Sequence, residues 1–95
     1  MAVTLPGVKT ALGISANVYD GELTGLIASA EADLKLSGIV VYEATDPLIV
    51  TAVTAYCQAN RGTDADKRQK YAEMYKAQKR NLMLASEYTE AVVEA

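Results

Sequence analysis

The chain has 95 residues, a net charge of −3, one cysteine and no histidine, which leaves room for a single domain with a modest core. Cys57 has no partner for an internal disulfide, and the lack of histidine removes the usual general base and the commonest metal ligand. The acidic balance argues against a free-standing nucleic-acid binder, and no run approaches the roughly 18 apolar residues of a membrane span.

Four helical segments are legible in chain order. The first is expected over Leu5 to Leu12, with Thr4 as its N-cap, Pro6 in the first turn and Gly13 at the left-handed stop. The opening MAVTLPGVK lacks a basic stretch followed by an apolar one, so no secretory signal is expected, and synthesis in the cytoplasm follows. The second helix is expected over Tyr19 to Leu36, capped by Asn17, with Asp20 and Glu22 at the positive end of its dipole. Leu23, Leu26, Ile27, Ala30 and Leu34 fall on one face. Glu31 and Lys35 are spaced as an outward i, i+4 ion pair, and Gly38 ends the helix.

Ile39-Val40-Val41-Tyr42 is apolar, β-branched and too short for a helix. It reads as a loop packed on the core; the alternative is a short strand that pairs only with another subunit. The third helix opens on Asp46-Pro47, a cap followed by a proline whose missing N–H costs nothing at that position. Thr51, Thr54, Gln58 and Arg61 line a polar stripe opposite Ile49, Val53, Tyr56, Cys57 and Asn60, and Gly62 supplies the stop. A central, largely buried helix is expected there. The fourth helix is expected over Asp64 to Ser86, capped by Thr63 or Asp64. Tyr71, Met74, Tyr75, Gln78, Leu82 and Ala85 share one face, and Lys76, Lys79 and Arg80 the opposite one. The expected fold is therefore all-α, a small bundle of four helices with a long C-terminal one: residues 1–86 form one domain and 87–95 a tail that orders on a partner.

Charge alternates along the chain. Residues 1–60 carry two lysines against six carboxylates, residues 61–80 seven cations against three, and the tail only Glu87, Glu90 and Glu94. Such polarity suits head-to-tail subunit contacts, a basic surface facing an anion, or a solvated helix face. Lys76, Lys79 and Arg80 are either such a solvated face beside Glu73 or, repeated around a ring, the lining of a channel for a polyanion. Met83 and Leu84 fall off the apolar stripe and are candidates for contact with another chain. Glu87, Tyr88, Val92 and Val93 of the tail join them.

Chemistry is scarce. Cys57 lies on the apolar side of its helix with no imidazole to activate it, so it reads as structural. The acidic pairs Asp20/Glu22, Glu31/Asp33 and Asp64/Asp66 are spaced i, i+2 and diverge on a helix. The six glycines are isolated and form no phosphate cradle. No catalytic residue, cofactor or metal is expected. All the aromatic residues are tyrosines, which suit half-buried positions because each hydroxyl needs a partner.

The order of these features is similar to a known family. Val-Lys-x-x-Leu-Gly-Ile (Val8 to Ile14) leads to an acid-bearing turn and then Leu-x-x-Leu-Ile-x-x-Ala (Leu23 to Ala30). After a loop, the Asp-Pro helix carries Ala-Val-x-x-Tyr-x-x-x-Asn-Arg (Ala52 to Arg61), and a Tyr-bearing helix ends near Leu82. Over residues 4–88 this resembles the head–tail connector, or adaptor, proteins of long-tailed double-stranded DNA bacteriophages and prophages. The resemblance implies a structural virion protein at the neck, forming a ring of about a dozen copies. It further implies binding to the portal protein above and to stopper or tail proteins below, with double-stranded DNA passing non-specifically through the bore, and no membrane partner. The loop 37–45 is more apolar than in the family and the carboxyl tail is short. The rival reading is a DNA-binding helical protein, such as a small terminase-like packaging subunit or a small regulator. A small helical enzyme or inhibitor subunit is disfavoured by the missing chemistry.

Overall fold

The structure, a computed structural model, describes residues 3–89. Five helices follow in order: α1 (Leu5–Leu12), α2 (Asp20–Leu36), α3 (Pro47–Ala59), α4 (Ala65–Leu84) and the single turn α5 (Ser86–Thr89). No strand occurs among the described residues. The all-α bundle expected from the sequence is the fold observed.

Local chemistry sets the helix starts and stops. Thr4 accepts a hydrogen bond from the Gly7 N–H at 3.1 Å, and Gly13 at φ 73° lets the last turn of α1 close on the Lys9 and Thr10 carbonyls. Asp46 accepts from the N–H groups of Leu48 and Ile49 at the start of α3, and Asp64 from that of Lys67 at the start of α4. The α2 cap differs from expectation. Tyr19 holds the N-cap position with no side-chain bond, because the Asn17 side chain is taken by the Lys9 ammonium at 3.0 Å. That same ammonium pairs with Asp20 at 2.8 Å.

Helix α3 is the hub, packed against α1, α2 and α4. Leu23, Ile27, Ala30 and Leu34 of α2 are buried, as are Ile49, Ala52, Val53, Thr54, Ala55 and Cys57 of α3. Burial nearly all round α3 explains why its expected polar stripe fails at Thr54, whose hydroxyl is buried with no partner among the described residues. Asn60, expected on the apolar side, is exposed, and its side-chain amide caps the Tyr56 carbonyl. From α4, Tyr75 and Leu82 complete the core, and Tyr75 meets Tyr56 edge-to-face at 5.1 Å. Met74 is 38% exposed and stands outside the core face assigned to it.

The segment after Gly38 is a loop, with Ile39 buried and Tyr42 half-buried. Glu31 turns inward rather than toward Lys35. It accepts from the Tyr42 hydroxyl at 2.8 Å and from the Val3 N–H at 2.9 Å, so one carboxylate ties the amino-terminal segment and the loop to α2. The chain past α4 also differs from expectation, since residues 87–89 belong to the folded body. Ala85 is extended, α5 follows, and Tyr88 is buried.

Candidate functional site

Three tyrosine–carboxylate contacts close the bundle across long sequence separations. Besides Tyr42 with Glu31, the Tyr75 hydroxyl donates to Asp33 and the Tyr88 hydroxyl to Asp46 at 2.9 Å. The Asp33 carboxylate also takes the Lys79 ammonium at 2.9 Å, which lies 5.3 Å from the centre of the Tyr75 ring. The Tyr75 bond, and then Lys79, hold the Asp33 carboxyl below its ordinary 3.8 against the opposing effect of partial burial. A depressed carboxylate stabilises the fold above its unfolded pKa, and that contribution disappears as pH falls through the lower folded value. Thermal unfolding of the parent followed downward from about pH 4 should therefore fall more steeply than that of Asp33→Asn. Equal slopes would remove Asp33 from the acid limb.

These contacts sort the basic residues. Lys79 was expected on the far side of α4 with Lys76 and Arg80, but an i, i+4 step brings it beside Tyr75 and within reach of Asp33. Arg61 reaches Glu22 at 3.4 Å and stacks 4.8 Å from the centre of the Tyr19 ring. Arg68 donates to the Ala59 carbonyl. Lys67, Lys70, Lys76 and Arg80 are exposed and enter no ion pair among the described residues.

The exposed apolar residues fall into separate places. Met83 is 45% exposed and Leu84 80%, at the end of α4. Leu36, at 87%, is followed closely by Val40 and Val41. Val18 and Tyr19 precede α2, and Leu48 opens α3. Leu36 was detectable in the sequence, since it follows Leu34 by two residues and so leaves the apolar face of α2. Beside Leu48, a groove of about 130 Å³ runs between α3 and the end of α4, lined by Gln78, Leu82, Ala85 and Tyr88 among others. The Gln78 side-chain oxygen is buried without a partner among the described residues.

Of the residues assigned to a subunit interface, Met83, Leu84 and Glu87 are on the surface. Tyr88 is not: its ring is 8% exposed, its hydroxyl is bound to Asp46, and its carbonyl accepts from the N–H groups of Val40 and Val41. A tyrosine beside exposed Leu84 and Glu87 reads as an outward contact, yet a half-buried carboxylate and two loop amides draw it inward. Val92 and Val93, with Glu90 and Glu94, lie outside the described residues.

Among the described residues no three His, Cys, Asp or Glu side chains gather as a metal site. Burial pushes the Cys57 thiol up to about 11, Arg61 only partly opposing it, so the group is a thiol at neutral pH. No helix among the described residues is long and apolar enough to cross a membrane. What the surface offers is therefore unlike patches, greasy at the end of α4 and around residues 36–41, and basic along α4 at Lys67, Lys70, Lys76 and Arg80. Such patches serve contact with macromolecules better than the handling of a small molecule. A family model described as phage connector protein matches residues 4–89, one residue beyond the span 4–88 of the sequence resemblance. No curated protein and no solved structure matches the chain.

Proposed function

The chain belongs to the phage connector protein family, and from that premise we propose that it assembles as a ring at the head–tail interface of the virion, beneath the portal, with DNA passing through the bore. The observation that carries this reading is the extent of the match: residues 4–89 include every helix from α1 to α5, so the folded body itself is a connector unit. A structural role in joining head to tail follows from the family.

Closure of a ring requires two different surfaces of each copy to meet. The exposed Met83 and Leu84 at the end of α4 are one such surface, made against the portal or the next copy. The other is made by the exposed Leu36, Val40 and Val41, which belong to the net-acidic residues 1–60. Lys76 and Arg80, which enter no ion pair among the described residues, face the DNA path. Lys79 shares their helix and is held in place by Asp33. Contacts of this kind neutralise phosphates without reading sequence, as a conduit for any genome requires.

The test is imaging of the parent particle together with one surface variant. Leu84→Asp should leave stability within about 0.5 kcal/mol, as for most surface changes, and remove the protein from purified particles. Incorporation of Leu84→Asp at the parent level would overturn the assignment of that surface. Particles whose neck lacks the parent chain would overturn the function.

A further inference from the structure

Helix α4 stops where nothing in its sequence stops a helix. Leu84-Ala85-Ser86-Glu87-Tyr88 contains neither glycine nor proline, and Leu, Ala and Glu are among the better helix formers. Yet Ala85 is extended, at φ −98° and ψ 111°, and the chain turns once more as Ser86–Thr89. One turn does not sustain itself as a helix, so the bend must be held by tertiary contacts. They converge on Tyr88: hydroxyl to Asp46, carbonyl to the Val40 N–H at 2.9 Å and the Val41 N–H at 3.0 Å, and a buried ring. Local preference and tertiary contact here point to different conformations, the kind of conflict found at functional or strained sites.

We propose that residues 85–89 form a two-state strap, bent back on the loop 37–45 in the free chain and straight, continuing α4 through Thr89, in the assembled one. The two forms exchange contacts. In the bent form the Ser86 and Glu87 N–H groups have no backbone carbonyl partner among the described residues; in the straight form they donate four residues back, to Leu82 and Met83. Straightening carries Tyr88 one turn beyond Leu84, onto the side of α4 where Leu84 is already 80% exposed. It also frees the Val40 and Val41 N–H groups of the loop, as two open donors beside two exposed valines. The bent strap thus keeps both surfaces incomplete until a neighbour stabilises the straight form. The part played by assembly rests on the connector reading; the bend itself does not.

Two substitutions separate the states. Ser86→Pro locks the bend: proline suits the first position of a helix, and it forces the preceding residue toward the extended geometry Ala85 already has. In a straight α4 the same proline would break the ladder. Tyr88→Ala removes the anchor and leaves a strong helix former. In the purified proteins, the Ala85 Cα chemical shift should be extended in the parent and in Ser86→Pro, and helical in Tyr88→Ala. Amide exchange at Val40 and Val41 should quicken at least about tenfold in Tyr88→Ala alone, because local opening governs it. In particles, Ser86→Pro should be incorporated at no more than about a tenth of the parent level, the straight form being denied to it. An extended Ala85 in Tyr88→Ala, or parent-level incorporation of Ser86→Pro, would overturn the strap. Absence of the parent from particles would instead overturn the connector reading, and the chemical shift and exchange would then decide the strap alone.

Discussion

Leu23→Ala is expected to lower the free energy of unfolding by about 3–4 kcal/mol, the cost of emptying a fully buried leucine site that collapses only in part. Leu23 is 0% exposed on the face of α2 that enters the core. Alanine keeps the helix propensity, so the loss reports packing and not backbone. A domain of this length holds roughly 5–10 kcal/mol in total, and a loss of that size lowers the melting temperature by roughly 12–25 °C. Leu36→Ala, on the same helix but 87% exposed, should change stability by less than about 0.5 kcal/mol. Urea unfolding of the two variants checks the pair. A Leu23→Ala midpoint as close to the parent as that of Leu36→Ala would show that α2 does not pack as described.

Asp46→Ala should cost about 2–3 kcal/mol, more than an ordinary cap, because one carboxylate does two jobs. Its Oδ1 accepts from the Leu48 and Ile49 N–H groups that open α3, and its Oδ2 from the Tyr88 hydroxyl 42 residues away. The cap accounts for about half of the loss and the Tyr88 bond for the rest. Tyr88→Phe alone should cost about 1 kcal/mol, and next to nothing when Asp46 is already alanine. Denaturant unfolding of both single variants and the double variant closes the cycle. Simple additivity would separate Tyr88 from Asp46.

Asn17, in the turn before α2, and Tyr88, on α5, mark where local sequence stops deciding the partner of a side chain. Asn17 has the right residue type and spacing for a cap, but a lysine eight positions earlier takes its side chain. Tyr88 has the composition of a surface contact, but Asp46 and the loop amides hold it inside. Glu31 and Lys79 likewise have the spacing of outward charges and are engaged by Tyr42 and Asp33 instead. All four differences share one cause: a polar side chain goes to whichever partner the fold brings near, and sequence spacing reveals only partners within a turn or two.

The amino-acid sequence alone determined the all-α class, the start and stop of α1, the start of α3, the core face of α2, the structural role of Cys57 and the family resemblance. Those rest on caps, breakers and a 3.6-residue period, all of which act within a few residues of chain. Only the tertiary structure decided that Thr54 of α3 is buried, that Lys79 is held by Asp33, and that the chain bends at Ala85. Each of these depends on groups far apart in sequence, where the energy of a contact outweighs local preference.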